Sequence, residues 1–328
     1  MNNYICFDLE GSLISSDNAH ELMSIIPNGH LIFEVIRRYD ELLTMEGRSG
    51  YEPGDALTKI LPFLLINQIG EEDIIRLAMN AKLIDGAPEL IEELHRNEWN
   101  VFCITATFNQ YAHRITKKLG IKNENVVCTN LPPEVLQHNI HKSDLYAIEA
   151  LEKAILKLAE EEDDVSIKRV LDNYYWKNTF NTDLGRSLKL VQPVGGKRKV
   201  AALKKFSLRH DNSFADWLVI GDSITDFKIL RSVNDAKGLS VAFNASRYAL
   251  PYATVALASI RISDIFPLAL LWCEKGRTGV KDMVKGYVDI EGNGPHFHWL
   301  DSIREIDEVA EEHKKTRQLI RGGSNNLT

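Results

Sequence analysis

The sequence predicts an α/β protein: a Rossmann-like, doubly wound parallel sheet with a helical cap inserted after the first strand and extra helical segments. Three observations carry that reading. Short apolar runs bounded by turn residues recur at 3–7, 100–104, 125–129, 187–191, 216–220 and 238–242, each the length of a buried strand. Helical patterns separate them, as crossovers between parallel strands require. Residues able to do chemistry stand where the runs stop: Asp8 after the first, Thr105 after the second, Asp222 after the fifth and Asn244 after the sixth. In such a sheet, ligands bind at the carboxyl ends of the strands.

The first run ends at Asp8, with Glu10 and Gly11 just beyond it. Two carboxylates spaced by two at a strand end can project to one side, share a metal and divide nucleophilic and acid/base work. Residues 15–83 read as helices with no core strand, in His30–Leu43, Asp55–Leu65 and Glu71–Ala81, and so as a helical lid. The stretch from Asp85 to Leu94 reads as a turn and a capped helix under the second strand. A second excursion, 132–186, carries a long helix over Ser143–Glu161, and its acidic end at 160–164 reads as a solvated terminus. The expected organisation is a core of 1–14 and 84–255 with a helical insertion at 132–186, a cap at 15–83 and a mainly helical C-terminal appendage at 256–328. That appendage shows a helix near 262–275, a loop around Gly292 and Gly294, a charged helix over 301–319 and a frayed tail.

Composition excludes several classes. Of the 328 residues, 44% are hydrophobic and 26% charged, ordinary for a soluble globular protein. A net charge of −7 argues against nucleic-acid and anionic-membrane partners, but not against a small phosphorylated substrate, which responds to local charge. No secretory signal is visible, and the apolar stretch Ile265–Cys273 is too short to span a bilayer. Cys6, Cys103, Cys128 and Cys273 show no Cys-x-x-Cys spacing and read as core residues of a cytoplasmic protein.

Three further pieces give the Asp8 pair something to work on. Thr105 ends a buried strand where its hydroxyl and neighbouring amides can face an anion. Gly195-Gly-Lys-Arg-Lys199 opens a helix, and a lysine there runs against the helix dipole unless it answers a negative charge. Lys197 is the first choice for that role and Lys199 the alternative. In Trp217-Leu-Val-Ile-Gly-Asp-Ser-Ile-Thr-Asp226 an apolar strand ends in Asp222, with Asp226 on the next turn. Asp222 and Asp226 near Asp8 form a hard oxygen set of the kind Mg²⁺ prefers.

These four motifs in this order resemble the haloacid dehalogenase-like (HAD) hydrolase superfamily, and locally its phosphoserine phosphatase-like branch. The likeness covers about 1–14, 84–130 and 187–250. The start Asp8-Leu-Glu-Gly11 is also similar to homoserine phosphotransferase-type members and to archaeal HAD-like proteins named as subunit R of an energy-converting hydrogenase. The resemblance implies a Mg²⁺-dependent phosphatase acting on a small phosphorylated metabolite. It makes Asp8 the nucleophile of an aspartyl-phosphate mechanism, Glu10 the acid/base, and Thr105 and Lys197 the phosphoryl-binding groups. The metal set it implies is Asp8, the Glu10 backbone carbonyl and Asp222, with Asp226 orienting the lysine or a metal-bound water. Asp17, Thr105, Ala106 and Asn244 are the candidate substrate contacts.

Two departures bear on the reaction and the substrate. Most hydrolytic members carry Asp where this chain has Glu10; one extra methylene leaves phosphatase, phosphotransferase to an alcohol acceptor, and slow enzyme all open. An offset near 1 Å in such a group can cost on the order of 100-fold. Thr58 stands where the phosphoserine branch has a carboxylate-binding arginine, with Arg48 the nearest replacement. A low-activity subunit or scaffold of a larger complex, with a protein partner held through 132–186 or 256–328, is the remaining alternative. His296 and His298, without further ligands nearby in sequence, read as surface or packing residues.

Overall fold

The computed structural model describes residues 3–136, 140–161, 163–179, 181–288, 294–300 and 306–320. Its first half runs β1 (Tyr4–Phe7), α1 (Asn18–Ser24), α2 (Gly29–Met45), α3 (Ala56–Ile66), α4 (Glu71–Asn80), α5 (Ala87–Arg96), β2 (Asn100–Phe108), α6 (Asn109–Lys118) and β3 (Val126–Thr129). Next come α7 (Pro133–Leu136), α8 (Lys142–Glu161), α9 (Asp164–Asp172), a π-helical turn at Asn173–Asn178 and α10 (Asp183–Leu188). The chain continues through α11 (Lys197–Arg209), β4 (Trp217–Gly221), α12 (Phe227–Asp235), β5 (Leu239–Phe243), β6 (Val255–Ala258), α13 (Phe266–Gly286), β7 (His296–Trp299) and α14 (Ile306–Ile320).

Among the described residues, seven strands form one sheet in the order β3-β2-β1-β4-β5-β6-β7. All pairs are parallel except β6–β7. Strand alternation divides the core in two. Ile5 and Phe7 of β1 join Leu218 and Ile220 of β4 in one apolar cluster, while Tyr4, Cys6, Trp217 and Val219 point to the other face. A sheet buried on both faces needs apolar side chains at both parities, which is why these strands read as unbroken apolar runs.

The sheet differs from the sequence expectation in three places. The run 187–191 is not a strand. Thr182 accepts the Gly185 N–H and caps α10, whose Leu184 and Leu188 share one buried face at helical spacing. Pro193 and Gly195 follow, and β4 pairs directly with β1, which leaves no slot for another strand. The chain beyond 256 is also more than an appendage, since β6 and β7 extend the sheet and α14 packs on β6. The helix expected near 262–275 is a short 3-10 turn followed by α13, which kinks at Gly276 (φ 60°). The expected loop around Gly292 and the final tail fall outside the described residues.

The segments 15–83 and 132–186, far apart in sequence, pack on each other. Helix α2 lies against α8 and α9. Across that junction the Arg38 guanidinium donates to both oxygens of Asp164 (2.8 and 2.7 Å), and Arg48 pairs with Asp172 at 2.5 Å. Tyr39 donates to the same Asp172 and receives the Trp176 indole N–H (2.9 Å). Among the described residues no helix is long and apolar enough to cross a membrane.

Candidate active site

Asp8 leaves the end of β1, where its own backbone N–H still donates to Ile220 of β4 at 3.0 Å. The Leu9 N–H donates to its carboxylate at 2.7 Å, setting the side chain at the strand tip. The adjacent strand β4 ends in Gly221 and delivers Asp222 beside it. A Cβ at Gly221 would lie 2.6 Å from the Asp226 carboxyl carbon, so only glycine lets Asp226 fold back under the loop. There Asp226 Oδ2 accepts from the N–H groups of Asp222 and Ser223 (3.2 and 3.1 Å). Gly11 plays the same part on the other side: its φ is +71° and a Cβ would sit 2.0 Å from Asp222 Oδ2.

The lysine at this site is Lys199, not Lys197. The Lys199 ammonium is 2.7 Å from Asp226 and 3.0 Å from Asp8, with its side chain 1% exposed. The Lys197 side chain is 79% exposed and reaches only Glu52, at 3.6 Å. The signal was in the sequence. Lys199 stands three, four and seven residues before Ala202, Leu203 and Phe206, on the buried stripe of α11. Burial opposes its charge, yet Asp226 and Asp8 hold its pKa above the ordinary lysine value. Burial pushes Asp8 up to about 7, with the Asp226 charge adding and the Lys199 ammonium opposing.

Glu10 sits between the loop after β1 and the start of α1. Its carboxylate accepts the Asn18 N–H at the start of α1 (2.7 Å). Its side chain thus links the β1 loop to α1. Burial, then the neighbouring Asp17 charge, raises its pKa well above the usual carboxylate range. Asp17 caps α1 by accepting the His20 N–H (3.0 Å) and also lines the cavity, so its capping and substrate roles are compatible in space. Thr105 is fully buried; its hydroxyl lies 2.9 Å from that of Thr107 and accepts the Thr107 N–H. Ala106 and Thr107, one and two residues on, are the ones that line the cavity.

Asn244 does not. Both ends of its amide are held by the Ser259 backbone, at 2.7 and 2.9 Å, so it ties β5 to the end of β6 instead of meeting a ligand. Neither Arg48 nor Thr58 lines this cavity: Arg48 stacks over Trp176 beside Asp172, and the Thr58 hydroxyl donates to the Asp55 carbonyl. The cations that do line it are Arg37 and Arg38 of α2, Arg247 after β5, and Lys314 and Arg317 of α14. His296 and His298 both bind one carboxylate, Glu312 of α14, at 2.8 and 2.7 Å.

The cavity has a volume of about 530 Å³, with Asp8, Glu10 and Asp222 among the residues that line it. Carboxylate oxygens of Asp8, Asp222 and Asp226 all lie within 4.8 Å of one another and all three residues are buried. Three clustered hard carboxylate oxygens suit a divalent cation of the Mg²⁺ type. Asp8 and Asp222 line the cavity and Asp226 lies beneath them, so Asp8 and Asp222 are the side chains positioned to hold it.

A sheet of this order, with an aspartate at the tip of its first strand, an acid loop after its neighbour and a buried lysine between them, is the haloacid dehalogenase-like fold. Solved structures agree. Gene product AF1437 from Archaeoglobus fulgidus superposes with a TM-score of 0.82 at 23% identity, covering 98% of this chain and 97% of that one. A phospho-aspartyl intermediate analogue of phosphoserine phosphatase superposes with a TM-score of 0.53 at 15% identity, over 81% of this chain and 98% of that one. No protein-family model matches the sequence, and no curated protein matches it.

Proposed function

We propose that the protein is a phosphatase of small phosphorylated metabolites that works through an aspartyl-phosphate on Asp8. The observation that carries this reading is the buried Asp8–Lys199–Asp226 array beside Asp222 in a cavity open to a ligand. Asp8 Oδ attacks phosphorus and the ester P–O bond breaks; Glu10, whose raised pKa suits proton donation, protonates the leaving alkoxide. Water then attacks the aspartyl-phosphate while Glu10 takes its proton, which releases phosphate and restores the Asp8 carboxylate. Lys199 neutralises the incoming phosphoryl oxygens, and Asp226 holds the ammonium in place. Asp8 and Asp222, with the Glu10 carbonyl, would hold Mg²⁺, which supplies positive charge against the repulsion between carboxylate and phosphate.

Glu10 favours keeping a second reading, phosphoryl transfer to an alcohol, because its anchorage on α1 makes the acid/base geometry depend on the lid. Scaffold function draws less support, since 132–186 braces the lid and the C-terminal segment completes the sheet. The deciding experiment is phosphate release from a panel of phosphomonoesters with Mg²⁺, for wild type and Asp8→Asn. Wild-type release that is lost in Asp8→Asn is the expected result; equal release by both proteins sinks the covalent mechanism. Phosphate recovered on an added alcohol would select the transfer reading.

A further inference from the structure

The cavity reaches beyond the chemistry that Asp8 requires. At about 530 Å³ it is large enough to enclose a whole small metabolite, not only its phosphoryl group. Its lid-side cations are already neutralised. Arg37 pairs with Glu34 and Glu41 (both 2.8 Å), and Arg38 with Asp164 and Glu41 (2.7 and 3.0 Å). The acids nearby are engaged as well: Glu41 also meets the Tyr248 hydroxyl (3.3 Å), and Asp40 accepts from Tyr51 (2.5 Å) and from the Gly54 N–H.

The wall formed by the loop after β5 and by α14 is different. The side chains of Arg247 and Lys314 line it, and neither side chain makes a hydrogen bond or ion pair among the described residues. Glu311 is the acid on the same wall, without an ion pair to Lys314 among the described residues. The turn of α14 that carries Lys314 is anchored. The two residues before the lysine are pinned: Glu312 by His296 and His298, and His313 by accepting the Ala245 N–H at 2.8 Å. That last bond sets α14 directly against the loop carrying Arg247. Two cations without a paired acid, on the wall of the cavity that also holds Asp8, suit a second negative charge on the ligand.

We infer that Arg247 and Lys314 form a distal anion subsite, so that the substrate is a phosphomonoester carrying a second anionic group, carboxylate or phosphate, on its leaving-group side. The inference rests on the phosphatase reading above, and it gives the C-terminal helix a role in specificity. A neutral-tailed phosphomonoester leaves the two cations unanswered.

The test separates binding from turnover. In the Asp8→Asn protein with Mg²⁺ and 0.15 M salt, calorimetry measures affinities for two matched pairs: fructose 1,6-bisphosphate against fructose 6-phosphate, and 3-phosphoglycerate against glycerol 3-phosphate. The doubly anionic member of at least one pair should bind about tenfold tighter, the effect of one charge-assisted contact. Adding Arg247→Gln and Lys314→Gln should erase that ratio, while Lys314→Arg alone should keep it. No preference in either pair, or a preference that survives the double substitution, overturns the subsite. Wild-type turnover of the same compounds is read separately: a preference in binding with no phosphate released by wild type overturns the phosphatase reading and leaves the subsite standing.

Discussion

Lys197 and Lys199 differ by two residues and by everything that matters to a charge. On a helix that spacing turns the side chain to the opposite face, so one lysine meets water and the other the core. Lys199→Ala leaves Asp8 and Asp226 buried without their counter-charge. It should lower phosphate release on the order of 100-fold or more, the scale of losing one preorganised donor to the transition state. Lys197→Ala removes an exposed pair to Glu52 and should shift stability by about 0.5 kcal/mol or less. Steady-state assays and denaturant melts on the two variants check this; equal activity losses would contradict the assignment. Gly11 answers to the same logic of close approach. Gly11→Ala strains a positive φ, costing about 1–3 kcal/mol, and drives a methyl into Asp222. It should weaken Mg²⁺ activation as well as the fold, which a metal titration of activity beside a urea melt will show.

At the level of elements, the junction between α14 and the β5 loop turns on His313. Its Nδ1 accepts the Ala245 N–H, so the ring must be neutral there, and burial lowers its pKa to about 3. The unfolded chain takes up that proton near pH 6.5, while the folded protein does not until about pH 3. Acid therefore favours the unfolded state: the full contribution is present above pH 6.5 and is lost as pH falls toward 3. The loss should reach about 2 kcal/mol at pH 5. His313→Asn keeps an acceptor but does not titrate. Its stability between pH 7 and pH 5 should fall by about 2 kcal/mol less than that of wild type. Parallel slopes would refute the role. Elsewhere the elements were legible where their pattern was local. The long helix α8 and the strands β1, β2, β4 and β5 follow from apolar runs and periodicity. Strands β6 and β7 carry no such local signal: β6 (Val-Ala-Leu-Ala) is half alanine, and β7 is a short edge strand partnered from far along the chain.

On the scale of the whole molecule, the segment 15–83 and the C-terminal helix α14 converge on one cavity. The insertion never touches the chemistry, yet it braces α2 through Asp164 and Asp172. A cation held by buried carboxylates that the unfolded chain cannot assemble should raise the stability of the entire fold. At 100 times its dissociation constant Mg²⁺ should add about 2.7 kcal/mol, and a chelator should remove both that increment and the activity. Thermal melts with Mg²⁺ and with EDTA check it, and in Asp222→Asn the increment should shrink.

The sequence by itself determined strands β1 to β5, the helical excursions and the carboxylates at the strand tips, because strand ends and helical periods are properties of neighbours along the chain. Asp8, Asp222 and Asp226 were readable for that reason. Tertiary structure decided which lysine answers them, that Asn244 serves the sheet and not a ligand, and that Arg247 and Lys314 share a wall. Those outcomes depend on which surfaces long-range packing buries and which charges it leaves uncompensated, and no local pattern records either.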